Sequence, residues 1–179
     1  MDLPGLWENI NRERILFLLS NITNVKSPKL RTELLNSLSV SQNIPDNFEK
    51  EEFEKLIVDS LIMLGDRKKA YELIQSINFD PNNKYKQFYQ KFTINYLLSS
   101  YQLSEACNLR DEIKDEKDLI SRNFYLKIDI FCLVLNEKYD EANLLNSLLV
   151  ESENEDKYFQ GLFEKLQTTE VDLLVDHEN

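Results

Sequence analysis

The chain has 179 residues and a formal net charge of −11, enough length for one compact domain or a short array of repeats and an acidity that opposes binding to a nucleic-acid backbone. Three glycines and four prolines leave few sites for tight hairpins, so strands are disfavoured and an all-α fold is expected. The acidity is uneven: residues 151–179 hold nine acidic residues against two lysines, a charge of −7, which leaves −4 for residues 1–150.

In chain order, the first apolar run is "ILFLL", Ile15 to Leu19, directly after Arg12, Glu13 and Arg14. It is too short for a membrane span and poorly flanked for a signal peptide, so no membrane insertion is expected and the cytoplasm is the default compartment. A periplasmic or secreted chain requires that a targeting segment has been removed. Residues 10–21 and 28–40 predict an N-terminal helix pair within residues 1–47.

From residue 48 to 151 the sequence repeats at an interval of 36. Ala70, Ala106 and Ala142 form one column, Leu73, Leu109 and Leu145 another, and Ile77, Ile113 and Leu149 a third. Upstream stand Phe53, Tyr89 and Tyr125, then Leu56, Phe92 and Ile128, then Leu61, Leu97 and Leu133. Spacings of three and four within each copy predict a helix A, a tight turn and a helix B. The alanine follows from packing, since a methyl-sized side chain lets two helix axes approach to roughly 8–10 Å. Gly65 marks the first turn, whereas "SSYQL" and "NEKYD" carry a weaker signal. Asp46 or Asn47 is expected to cap the first helix A, and "DPNN" at Asp80 to Asn83 breaks the chain before the second.

After Ser152 the columns fail, with Gly161 and Glu164 in apolar slots. "DKYFQGLFEKLQ" still reads as an amphipathic capping helix through Tyr158, Phe159, Leu162, Phe163 and Leu166. "TEVDLLVD" reads as a separate short stub, and residues 152–179 as a cap with an acidic tail. The whole is expected to form one helical repeat domain over residues 1–179.

Cys107 and Cys132 stand 25 residues apart with no histidine near, and the only histidine is His177. A metal site is therefore not expected, and no cofactor is implied. Two readings of the cysteines stay open: small buried hydrophobes, or a disulfide between neighbouring helices in an oxidising compartment.

"KYDEA", with Tyr139 and Ala142, and "LG" ahead of "DRKKA" resemble the tetratricopeptide-repeat (TPR) family over about residues 48–151. The resemblance implies a right-handed α-solenoid of antiparallel helix pairs. The unit departs from the family's pattern in having 36 residues rather than 34 and no tryptophan in helix A; Arg67 and Leu103 replace the tyrosine. A weaker likeness, carried by "ACNL" and "FCLVLNEKYDEANLLNSLLVE", is to helical-repeat proteins of alphaproteobacteria and implies no activity.

No glycine-rich phosphate loop, G-x-S-x-G or H-E-x-x-H is present, so a non-enzymatic role is expected. The TPR resemblance places helix A on a concave surface. There Lys55, Lys91 and Lys127 stand one interval apart, Phe88 and Phe124 lie three residues before the latter two, and Asn95 lies a turn beyond Lys91. By similarity to TPR proteins that hold a peptide's terminal carboxylate, this column is expected to bind an acidic or C-terminal peptide of a protein partner. Phe88 and Phe124 should then be exposed. The same lysines are also expected from duplication alone, each paired with an acid on its own helix such as Glu51. Two further readings are a structural part of a larger assembly, contacting through the ends of the stack, and an acidic tail that occupies the groove.

Overall fold

The computed structural model describes residue 7 and residues 10–40, 44–78, 80, 82–113, 122–151 and 156–175, with side chains as far as Gln167 in the last segment. Pro81, His177 and the end of the acidic tail lie outside the described residues. Among the described residues every regular element is helical. No helix there is long and apolar enough to cross a membrane. Contacts divide the chain into two compact units, residues 1–101 and 102–179, with the boundary inside the second copy of the repeat.

In the first unit, α1 (Arg12–Ser20) begins at Asn11, whose side chain accepts from the Arg14 amide at 2.9 Å. A 3-10 turn (Ile22–Asn24) and α2 (Pro28–Val40) follow, and the proline sits at the first helical position, where no amide donor is needed. Next come α3 (Lys50–Met63), α4 (Arg67–Ser76) and α5 (Lys86–Ser99). α3 packs against α1, α2 and α4, and α4 against α5. The cap of α3 is Glu49, without a side-chain hydrogen bond, instead of Asp46 or Asn47. The Asn47 carbonyl instead accepts from the Arg12 guanidinium at 3.2 Å, which fixes the chain ahead of the helix.

The α3 to α4 turn shows why the interval repeats. Gly65 has φ +83°, its amide donates to the Ile62 carbonyl and the Asp66 amide to that of Leu61. Those two bonds close α3 as a Schellman motif, and Asp66 then caps α4 through the Lys69 amide at 3.0 Å. The only other positive φ values among the described residues are at Tyr101 and Glu137, both 59°. Each stands 36 residues after the one before. At Glu137 the same pair of bonds recurs, with the Glu137 amide on Val134 and the Lys138 amide on Leu133. The turn therefore keeps its geometry where the glycine is gone.

The second unit holds α6 (Leu103–Glu112), α7 (Arg122–Leu135), α8 (Tyr139–Glu151) and α9 (Lys157–Val175). α7 packs against α6, α8 and α9. α9 continues without a break to Val175, so the stub expected at "TEVDLLVD" is, as far as Val175, the last part of α9, and Asp176 lies outside the described residues. No glycine or proline separates the two stretches. α3, α5 and α7 start at Lys50, Lys86 and Arg122, 36 residues apart, but α9 starts one residue early. That shift puts Phe163, which is buried, in the slot where the 36-residue register had placed Glu164.

Ala70, Ala106 and Ala142 are all 0% exposed, so none leaves room for a larger side chain. Val58, Ile94 and Ile130, also one interval apart and 0% exposed, form a further column.

Candidate functional site

Lys55 and Lys127 can be followed through their surroundings. In the first unit the Lys55 ammonium lies 2.6 Å from both oxygens of Asp59, one turn later on α3, rather than pairing with Glu51. It also stands 3.8 Å from the centre of the Phe88 ring and 5.7 Å from that of Tyr85. Phe88 is half-buried and stacks along α5 on Phe92, with an edge contact to Tyr89. A cation over a ring face is attracted by the ring quadrupole, so Lys55 ties α3 to α5.

The second unit repeats the arrangement with other residues. Lys127 of α7 is 2.6 Å from Asp156 and 5.7 Å from the centre of the Phe159 ring. Asp156 also accepts the amides of Tyr158 and Phe159 and so begins α9. The hydrogen bond from Lys127, then that from the Phe159 amide, hold its carboxyl below the usual aspartate range. A third instance joins α1 to the start of α3: Arg12 lies over the Phe48 ring at 4.5 Å and bonds both oxygens of Glu52. That hydrogen bond lowers the Glu52 carboxyl and raises Arg12.

Lys91 is half-buried on α5, and the exposed Asn95 turns its side-chain amide back onto the Lys91 carbonyl at 3.0 Å. Phe124 is half-buried on α7 and meets Tyr125 edge-on. Thus Phe88 and Phe124 offer partial faces and not the open patch that direct peptide stacking prefers. Tyr89, beneath Phe88, is buried; that burial pushes its phenol up, and the Glu54 and Asp59 carboxylates add to the shift.

Sequence reasoning did not foresee Arg110 and Asp129. The Arg110 guanidinium bonds both Asp129 oxygens at 2.8 and 2.9 Å and lies 4.7 Å from the Tyr125 ring centre. A signal existed: Arg110 occupies the position of Ile74 one interval earlier, and Asp129 that of Thr93. A charge at a buried helical position calls for an opposite charge nearby. Cys107 and Cys132 are joined by a disulfide between the same two helices, α6 and α7.

A cleft of about 640 Å³ opens between α2, α3 and α4, floored by Leu38, Phe53, Ile57, Leu73 and Ile77. Glu54 and Lys50 stand at its wall, 3.8 Å apart, and burial raises the Glu54 carboxyl. Comparison with known protein families, curated proteins and solved structures gives no match.

Proposed function

We propose that the chain is a TPR-like, right-handed α-solenoid that acts without catalysis as a protein-binding module, using the concave face of its A helices. The observation that carries this reading is the recurring lysine, carboxylate and aromatic ring, at Lys55 with Asp59 and Phe88 and at Lys127 with Asp156 and Phe159. Each cluster already holds a carboxylate against a cation that rests on a ring. A partner's acidic side chain or terminal carboxylate enters by exchanging with Asp59 or Asp156, and in the first unit Lys91 and Asn95 add polar groups on α5. The two lysines are half-buried and their carboxylates lie at the surface, where ion pairs contribute on the order of 1 kcal/mol, so exchange is cheap.

Peptides with a free C-terminus and varied acidic content, titrated against the wild type and against Lys55→Glu, Lys91→Glu, Lys127→Glu together, test the reading. Binding by the wild type alone, weakening with salt, is expected; equal binding by both proteins at unchanged helicity discards the lysine column.

A second reading, contact within a larger assembly through the last helix, is favoured by Tyr158, which is 93% exposed, and by Leu162 one turn later on α9. An apolar pair open to water on a surface helix suits an interface. Sedimentation of the wild type beside Tyr158→Lys and Leu162→Lys distinguishes this reading, because only an interface would lose mass on substitution.

A further inference from the structure

We propose that the α6–α7 junction is a redox latch: closed, the Cys107–Cys132 disulfide locks α6 onto α7, and a dithiol reductant opens the joint without unfolding α7 and α8. The inference is independent of the peptide-binding reading.

Three observations lead to it. The bond joins two helices that also share a polar contact, Arg110 gripping Asp129 and covering the Tyr125 ring, beside the buried Ala106. An apolar cluster of this unit, Ile130, Val134, Ala142, Leu149 and Phe163, is drawn from α7, α8 and α9, and among the described residues none of α6 belongs to it. Cys132 is half-buried, whereas Cys107 is buried, so Cys132 is the more accessible partner of the bond. The cross-link thus lies outside the α7–α8–α9 cluster, and removing it leaves that cluster untouched.

The chemistry is a balanced exchange. A thiolate of the dithiol attacks the Cys132 sulfur, forming a mixed disulfide and releasing the Cys107 thiolate, which takes up a proton. The second thiol of the reductant then displaces Cys132, which is protonated in turn. The reductant leaves as a disulfide, and two electrons and two protons have passed to the protein. In an oxidising compartment the latch stays shut, and a dithiol pool holds it open.

Hydrogen exchange on the full chain tests the proposal, comparing oxidised protein, protein reduced with dithiothreitol, and the reduced sample reoxidised with glutathione disulfide. Reduction should speed exchange in α6 by roughly tenfold or more, leave α8 unchanged, and reverse on reoxidation. The variant Cys107→Ser with Cys132→Ser should match the reduced protein and ignore the reductant. Equal exchange in the oxidised and reduced forms overturns the latch. So does acceleration spread evenly over α6, α7 and α8, or two free thiols that persist after treatment with glutathione disulfide.

Discussion

The two compact units use one repeat in two chemistries. In the first, a continuous apolar cluster runs from Trp7 through Ile15, Phe53, Leu61 and Ile74 to Phe92, with Trp7 and Phe48 both set against the Phe53 ring. In the second, beside the cluster of Ile130, Val134, Ala142, Leu149 and Phe163, the links between helices include a disulfide and a buried ion pair: Arg110 to Asp129, Cys107 to Cys132, Lys127 to Asp156, and the reciprocal amide pair Asn146 and Gln160 at 2.8 and 2.9 Å. Ile74 and Thr93 stand one interval before Arg110 and Asp129, and all four are buried or nearly so. The repeat therefore fixes where helices meet and leaves open what holds them.

The comparison breaks most sharply at the ring shared by Trp7 and Phe48. Phe53→Ala should cost about 3–5 kcal/mol in denaturant unfolding, since the site cannot close around so large a void. A loss under 1 kcal/mol would mean that the first unit does not depend on its apolar core. In the second unit Asp129→Ala should cost about 3–5 kcal/mol, because Arg110 is then buried without its carboxylate. Converting the pair to the chemistry of the first unit, Arg110→Ile with Asp129→Thr, should restore most of that loss, and a double variant no more stable than Asp129→Ala would deny that the positions are equivalent.

A smaller effect tests the turns. Glu137→Gly should stabilise by about 1 kcal/mol, since glycine adopts a positive φ without a Cβ penalty, and Gly65→Ala should destabilise by a similar amount. Opposite signs in thermal unfolding are expected; like signs would separate the two turns. The weakest effect is acid. Asp156 and Glu52 have folded pKa values below their ordinary ones, so the stability they add is complete above the ordinary carboxylate range and fades as pH falls through the folded values. Amides at the start of α9 should lose protection below about pH 4 in the wild type, and Asp156→Asn should flatten that dependence.

The helical class was legible because periodicity of three and four ran through nearly every segment, and α2 spans the 28–40 expected of it. The buried alanines were legible because a small residue among leucines has a packing cause. Tyr101 and Glu137 were not, since only glycine announces a left-handed residue, and the hydrogen-bonded turn here imposes that conformation on side chains that tolerate it poorly. The lysine column was visible as a column, but its partners were not: Asp59 competed with Glu51 on the same helix, and Asp156 lies 29 residues from Lys127. The register beyond Ser152 was lost through a single missing residue, which no column of threes reveals until Phe163 is seen buried.

Gly65, Tyr101 and Glu137 each precede their buried alanine, Ala70, Ala106 and Ala142, by the same number of residues. The distance from bend to alanine behaves as a ruler, and any insertion within it would rotate helix B and turn the alanine away from its seat. Length change is tolerated only outside that ruler, as the early start of α9 illustrates. For protein engineering this makes the stretch from Leu61 to Ile77 interchangeable in length with that from Leu133 to Leu149, a cassette that can be transplanted between copies while the linkers around it are lengthened or trimmed.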